Sequence, residues 1–222
     1  MKMSSDLARV LVCTLLIWRV PAICSAQQEI EVYAGGLVGV ATLSADARSV
    51  VSEREFAVSL YEPQNGLAVN LLLGAHLHDY VTIQGNYIWN RNDLMLVSTQ
   101  TSGATQSFSQ EFRESTHHMV IGDLLVYFRP RGDRIRPYLS GGLGVMRFRS
   151  ESDADLPRLD PTEVRATLRV AVGMDVKVGD GWSIRYSFSE NLSGNPISDL
   201  LVPPGKRSLA NFQNLVGGLW SF

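Results

Sequence analysis

The sequence predicts an all-β fold, an eight-stranded antiparallel transmembrane up-and-down β-barrel, and three observations lead to this fold class. Apolar and polar residues alternate with a period of two along several segments. The connections between these segments are alternately short and long, and aromatic residues concentrate near the segment ends. Strands that turn one face to lipid and the other to a polar interior produce this combination.

The composition taken alone is that of an ordinary soluble domain. The chain has 222 residues, of which 45% are hydrophobic and 19% charged, with a net charge of −2 and a mean hydropathy of +0.02. This hydropathy is too low for a bundle of membrane helices, and the balanced charge disfavours a nucleic-acid partner. Alternating strands reconcile these values with a membrane location, because only about half of each strand faces lipid.

The N-terminus is predicted to be a secretory signal peptide that spans residues 1–26. Lys2 and Arg9 precede an apolar run at 10–18, and a stretch of small residues follows. The expected mature domain is therefore 27–222. Both cysteines lie in the segment predicted to be removed, so we expect no disulfide in the exported domain.

The clearest alternation lies between Val164 and Val178, where every even position is apolar and every odd position is small, polar or charged. The same pattern resumes at Trp182 after a glycine-flanked turn, which predicts a β-hairpin. Pairing each residue i with residue 360 − i keeps both apolar sets on one face. This register also places Asp175 opposite Arg185, a pair of opposite charges across two strands.

Six further strands complete the predicted barrel. They lie near residues 30–40, 66–75, 80–90, 116–129, 136–149 and 212–222. The predicted short connections are 76–79, 130–135 and 179–181, and the long polar ones are 41–65, 91–115, 150–163 and 191–209. Short turns at one end and long loops at the other are typical of an outer-membrane barrel, and eight strands place both termini at the short-turn end.

The aromatic residues predict two girdles around an apolar band. Near the short-turn end we expect Tyr33, Tyr80, Phe128, Tyr138, Trp182, Trp220 and Phe222, and near the long-loop end Tyr87, Trp89, Phe148, Phe188 and Phe212. Aromatic side chains favour the two interfaces between lipid and water, so this arrangement supports a membrane-spanning barrel.

The chain ends in a segment in which Val216, Gly218, Trp220 and Phe222 share one face. On this terminus, and on the strand pattern over roughly 28–222, the sequence resembles the eight-stranded outer-membrane β-barrel family of the OmpA barrel domain and OmpX. The resemblance implies a location in the bacterial outer membrane, contact with its lipids, and recognition of the C-terminal segment by the barrel-insertion machinery. We expect a monomer.

A soluble lipocalin-like barrel is the competing fold, because alternation alone does not decide which face points inward. A lipocalin would turn its apolar faces inward and expose Arg169 and Arg185 to water. The membrane barrel does the reverse, since an arginine facing lipid costs about 2–4 kcal/mol at mid-depth. The unequal connections and the terminal Phe222 favour the membrane barrel.

The predicted lumen contains a network of charged side chains. Its members are Asp123, Arg169, Asp175, Lys177, Arg185 and Glu190. The interior of an eight-stranded barrel is just wide enough for side chains to fill, and buried charges need partners. The sequence therefore predicts a salt-bridged lumen with no open pore, no cofactor and no metal, and a small channel is the alternative.

Two other functions are compatible with a small barrel. An outer-membrane lipid deacylase or acyltransferase needs a nucleophile, a base and an orienting group, for which Ser115, His117 and His118 are the candidates. Only one of the adjacent histidines can point inward from a strand. A surface-interaction role would instead use an extracellular ligand held by the loops at 41–65 and 91–115.

Overall fold

The computed structural model describes residues 30–44, 56–102, 105–152, 162–196 and 208–222. These residues form nine strands: β1 (Glu31–Leu43), β2 (Phe56–Pro63), β3 (Gly66–His76), β4 (Val81–Ser102), β5 (Thr105–Tyr127), β6 (Ile135–Ser152), β7 (Thr162–Gly179), β8 (Trp182–Gly194) and β9 (Ser208–Ser221). Within the described ranges there is no helix long and apolar enough to cross a membrane.

Eight of the nine strands close into one antiparallel ring. The neighbours around the ring run β4, β3, β1, β9, β8, β7, β6 and β5, and pairing of β4 with β5 closes it. Following directly paired residues once around the ring leads from Tyr33 to Leu43, ten residues further along β1. The barrel therefore has eight strands and a shear of ten, which confirms the predicted fold class.

The ninth strand, β2, extends the barrel on one side. It pairs with β4 from Leu94 to Thr101, whereas β3 pairs with the preceding part of β4. The ring thus contains β1 and β3 to β9, and β2 adds a short strand beside the far end of β4.

The hairpin of β7 and β8 adopts the register that alternation predicts. Asp175 pairs directly with Arg185, and the sum of paired residue numbers stays at 360 from Thr167↔Ser193 to Lys177↔Ser183. A register shift between Lys177 and Gly179 interrupts the pairing only at the turn. The register is strongly specified because a slip of one residue would turn every side chain of the strand to the wrong face.

Two predicted loops are wrong in part, because each contains strand. In 91–115, β4 continues to Ser102 and β5 begins at Thr105, and the two strands pair along this whole extension. In 41–65, β2 occupies Phe56–Pro63. Beyond a lipid bilayer both faces of a strand meet water, so these extensions lack the period-two pattern that marks the other strands.

The outer face of the ring is apolar and the inner face is largely polar. Each ring strand exposes apolar side chains, for example Val38, Leu71, Ile83, Val120, Leu143, Val172, Ile184 and Val216. Buried polar residues of the same strands include Asn70, Gln84, Asn86, Asp123, Ser140, Arg169, Arg185 and Gln213. This distribution is opposite to that of a lipocalin-like barrel and matches a barrel surrounded by lipid.

The aromatic prediction is wrong for three residues. Tyr33, Tyr138 and Phe148 are buried in the lumen, not placed in a girdle. The other predicted members at the short-turn end, namely Tyr80, Phe128, Trp182, Trp220 and Phe222, are exposed on the outside. Strand parity separates the two groups, since Tyr138 and Phe148 share a face with buried neighbours two residues away and Tyr33 shares a face with the buried Leu37.

Candidate functional site in the lumen

The centre of the lumen is organised around Arg185, whose side chain is 1% exposed. Its Nε donates to Asp175 Oδ1 at 2.6 Å and its Nη2 to Asp175 Oδ2 at 2.7 Å. Nη2 also donates to Tyr127 Oη at 2.8 Å, and Nη1 donates to Gln84 Oε1. Strands β4, β5, β7 and β8 thus meet at one guanidinium with a fork-to-fork carboxylate partner.

Aromatic rings surround the same guanidinium. Its Cζ lies 4.9 Å from the ring centroid of Tyr138 and 5.5 Å from that of Tyr33, distances at which a cation is attracted to the ring face. Tyr33 Oη also donates to Gln84 Oε1 at 2.7 Å. We call Arg185, Asp175, Gln84 and the three tyrosines 33, 127 and 138 the arginine layer; it crosses the lumen from wall to wall.

A glycine makes room for one of these rings. Tyr138 pairs directly with Gly173 on the neighbouring strand, and a Cβ at Gly173 would meet the Tyr138 phenol group. Gly74 stands in the same relation to Tyr33. The absence of a side chain at these two positions lets the tyrosines lie against the wall and reach Arg185.

A second ion pair lies beyond the arginine layer, toward the long-loop end. Arg169 Nη1 donates to Asp123 Oδ2, and Asn86 Nδ2 donates to the same oxygen at 3.1 Å. Both charged side chains are almost fully buried. Asp123 Oδ1 and Arg169 Nε find no hydrogen-bond partner among the described residues, so this pair is less completely satisfied than the first.

An apolar layer fills the lumen next to the second ion pair. Its buried residues are Leu43, Ile88, Met119, Ile121, Met146, Phe148 and Leu209. Phe148 and Met119 are completely buried. An apolar layer across a polar lumen excludes water from the section it occupies.

Amides and hydroxyls follow at the long-loop end of the lumen. Asn90 Nδ2 donates to Asn92 Oδ1 at 2.6 Å, and Asn211 Nδ2 donates to Asn90 Oδ1 at 3.2 Å. Asn92 Nδ2 donates to the carbonyl oxygens of Ala41 and Gln64. These bonds tie strands β1, β4 and β9 together where the barrel leaves its apolar band.

The structure brings together four of the six predicted lumen charges, as the two ion pairs described above. Lys177 lies at the short-turn mouth, where its side chain is exposed. The prediction is wrong for Glu190, which follows Phe188 by two residues and shares its outer face. Alternation places Arg185, Ser187 and Ser189 inside, so an even-numbered residue on this strand points outward.

A cavity of about 250 Å³ opens at the short-turn mouth. Arg136 stands over the Tyr127 ring at 3.9 Å and donates to the carbonyl oxygen of Asp79 at 2.8 Å. Arg131 lies 3.3 Å from a carboxylate oxygen of Glu31. The first contact links β6 to the turn between β3 and β4, and the second links the turn between β5 and β6 to β1. The arginine layer forms the floor of the cavity.

The candidate catalytic residues do not assemble a catalytic constellation. Ser115 Oγ lies 3.5 Å from His117 Nε2, and it already donates to the carbonyl oxygen of Asn92 at 2.8 Å. His117 Nδ1 has no partner in the described part of the chain, so no carboxylate orients this ring. His118 points outward and contacts Tyr87 Oη at 2.8 Å. The described residues also contain no group of three or more metal-ligating side chains.

Sequence reasoning missed the tyrosines and Gln84 that complete the arginine layer. A signal for them was present, because Gln84 shares the polar face of its strand with Thr82 and Asn86. Tyr127 is two residues from Leu125 and four from Asp123, on the inner face of β5. An aromatic residue near a strand end looks like a girdle residue in the sequence. Only the inward–outward alternation, extended to the end of the strand, shows that it points into the lumen.

Val216, Gly218 and Trp220 lie on the outer face of β9, and the exposed Phe222 follows the last residue of the strand. The Trp220 ring stacks on Trp182 with centroids 6.3 Å apart and contacts Phe222 at 5.3 Å. The backbone N–H of Phe222 donates to the carbonyl of Val32 at 3.0 Å. The end of the chain thus forms part of the seam at which β9 meets β1.

Comparisons with known proteins agree with this architecture. Residues 11–202 match the family described as outer membrane protein beta-barrel domain. The fold is similar to that of Neisserial surface protein A, with a TM-score of 0.53 and 13% identity over 86% of this chain and 97% of that one. It is also similar to the outer membrane protein OprG of Pseudomonas aeruginosa, with a TM-score of 0.51 and 11% identity over 87% and 96% of the two chains. A comparison with curated protein sequences gives no match.

Proposed function

Because the chain belongs to the outer membrane protein beta-barrel domain family, we propose that it is a closed outer-membrane barrel with a structural and surface-interaction role. In such barrels the short turns face the periplasm and the long loops face the cell exterior. The lumen then acts as a rigid plug, and the extracellular extension of the strands is the part that meets partners.

The arginine layer carries the first half of this proposal. Arg185 has hydrogen-bond partners on three other strands and two rings within cation–π distance. The apolar layer around Phe148 adds a second barrier of different chemistry. A hydrated ion would have to displace both a satisfied ion pair and a packed apolar section, and both changes are costly.

The extension of β4 and β5 supports the surface-interaction half. β4 continues eleven residues past Arg91 to Ser102, a length of roughly 35 Å along the strand. β5 pairs with β6 only from Arg113 onward, and β2 flanks the other side of β4. The result is a three-stranded sheet that projects from the wall of the barrel, and projecting segments of this kind are where binding contacts concentrate.

A solute-flux measurement tests the closed lumen. The full chain is reconstituted in liposomes with a general porin as the positive control, and we expect negligible efflux of a small trapped dye. The double variant Phe148→Ala with Arg185→Ala removes one side chain from each barrier and should raise the efflux.

The matched control is Tyr186→Ala with Phe188→Ala, which alters neighbouring outer-face positions of β8 and should leave efflux unchanged. Efflux through the wild-type protein would overturn the proposal. So would a double lumen variant that stays as tight as the wild type, because the two layers would then not be what closes the barrel.

A shortened hairpin tests the surface role. Residues 99–108 are replaced by an Asn-Gly turn, which joins β4 to β5 at a tighter point of the same hairpin. Cells that display this variant should adhere less than wild-type cells to heparin-coated glass or to an epithelial monolayer. The control replaces 153–161 with a Gly/Ser linker of equal length. Equal adhesion of all three strains to both surfaces would argue against a surface-interaction role.

A further inference from the structure

The outer face of the barrel is not uniform where its apolar band ends. On β6 the outward side chains are Leu139, Leu143 and Val145, and the next two outward positions are Arg147 and Arg149. Their neighbours Met146, Phe148 and Ser150 are buried in the lumen, so the two arginines point away from the barrel. They are the first outward residues of β6 beyond the lipid-facing stretch.

The two adjacent strands place further polar groups at the same edge. Arg147 pairs directly with His118 on β5, which in turn pairs with Trp89 on β4. Arg149 pairs with Thr116, which pairs with Arg91. Three arginines and one histidine therefore cover two inter-strand spacings, about 10 Å. Arg147 and His118 lie level with the girdle residue Trp89, and Arg91 and Arg149 lie two residues further out.

The rest of the described circumference lacks such a cluster. Above the apolar band, the outer-face Arg and Lys residues of the described chain all lie on β4 and β6. At about the same height on the other ring strands without an outward basic residue, the outward positions are Thr42 on β1, Leu67 on β3, Val164 on β7, Leu192 on β8 and Ala210 on β9. The positive charge is thus confined to one side of the barrel, and the exposed carboxylates of Asp93 and Glu114 lie in the next row outward on β4 and β5.

We propose that this side, formed by Arg91, Arg147, Arg149 and His118, binds the phosphorylated headgroup of a glycolipid in the outer leaflet. Guanidinium groups recognise phosphate with paired, charge-assisted hydrogen bonds. At the edge of the apolar band they meet the headgroup while the acyl chains lie along the exposed Val145 and Val120. Because a phosphate-binding surface and an acyl-binding surface adjoin in one patch, the expected ligand is a phosphorylated lipid.

Glu114 modulates the patch. Its carboxylate forms an ion pair with Arg91 on the outer surface, and both side chains are about half exposed. A lipid phosphate competes with this carboxylate for the same guanidinium. Removal of the Glu114 charge therefore strengthens headgroup binding, an effect opposite to that of removing an arginine.

Native mass spectrometry of the folded full chain tests the proposal. The protein is incubated in detergent with equal amounts of diphosphorylated lipid A and the same lipid without phosphate, and the ratio of the two bound forms is measured. We expect the wild type to retain the phosphorylated form preferentially. In Arg147→Gln with Arg149→Gln the ratio should fall by roughly fivefold per arginine, since each basic side chain near an anionic surface contributes about this factor.

The controls separate the patch from general charge effects. Arg134→Gln removes one charge from the periplasmic turn and should leave the ratio unchanged, whereas Glu114→Gln should raise it. Heat-modifiable migration on a gel verifies that each variant is folded. A double arginine variant with the wild-type ratio overturns the proposal, and so does an equal loss in Arg134→Gln. Displacement of the lipid by an equimolar amount of inorganic phosphate overturns it too, because the site would then recognise phosphate without its lipid.

Discussion

The two buried ion pairs of the lumen have the same charges but different surroundings. Asp175 holds Arg185 with two hydrogen bonds, and tyrosines and Gln84 satisfy the rest of the guanidinium. Asp123 holds Arg169 with one contact, and each member of that pair keeps one atom without a partner in the described chain. The first pair is a complete network, and the second is a partial one.

This difference shows what makes a buried charge tolerable inside a barrel. Desolvation penalises both pairs, and the attraction between the charges offsets that penalty only when hydrogen bonds satisfy the remaining donors and acceptors. The arginine layer meets this condition with hydrogen-bonding groups on β1, β4, β5 and β8 beside the carboxylate on β7, and the Tyr138 ring on β6 adds a cation–π contact. We therefore expect the two pairs to respond differently when a member is removed.

The largest effect is expected from Asp175→Ala. This change leaves the Arg185 guanidinium buried without its counter-charge, and loss of one partner of a buried pair costs about 3–5 kcal/mol of unfolding free energy. Urea-induced unfolding of the protein in lipid vesicles measures the loss. Asp180→Ala, in the exposed turn between β7 and β8, serves as the control and should stay within about 0.5 kcal/mol of the wild type.

Asp123→Ala should cost less, about 3 kcal/mol, at the low end of the range for a buried pair. Arg169 also loses its counter-charge, but Asp123 accepts two hydrogen bonds, from Arg169 and Asn86, whereas Asp175 accepts three, two from Arg185 and one from Tyr127. The same vesicle assay compares the two aspartate variants directly. An Asp123 variant that is destabilised more than the Asp175 variant would show that completeness of the network does not govern the cost.

Gly173→Ala tests how much Tyr138 contributes to the stability of the arginine layer. The added methyl group meets both the Tyr138 phenol and the backbone carbonyl oxygen of Tyr186, so the ring is pushed away from Arg185 and β8 must shift slightly, with an expected cost of about 1–3 kcal/mol from overpacking. Gly141→Ala is the matched control on β6, because no atom lies within 4 Å of the new methyl group. Equal stability of the two variants would mean that Tyr138 can leave the layer without loss.

The hairpin of β7 and β8 could be predicted because lipid specifies one of its faces. Fifteen residues from Val164 to Val178 keep strict alternation, and the same pattern resumes at Trp182 after a glycine-flanked turn. Together these features predict the pairing of Asp175 with Arg185. The projecting part of β4 and β5 could not be predicted in the same way. Both faces of this part contact water outside the membrane. Neither face has to be apolar, so apolar and polar residues no longer alternate with a period of two.

Four of the lumen charges, Asp123, Arg169, Asp175 and Arg185, follow from strand parity, and direct strand pairing predicts the partnership of Asp175 with Arg185. The partnership of Arg169 with Asp123 could not be predicted, because it joins β7 to β5, which are not neighbours, and depends on the shear of the barrel. The sequence predicts Tyr33 and Tyr138 as girdle residues because an aromatic ring at a strand end suits either face of the barrel. The apolar layer around Phe148 is equally hidden, since its members are scattered over five strands.

Single-channel recording from the protein in a planar bilayer tests most directly whether stacked side-chain layers close this barrel. The wild-type protein should show no sustained conductance steps above the noise of the bilayer. A stable open level of large conductance, seen reproducibly with protein whose folding is verified by heat-modifiable migration, would contradict it.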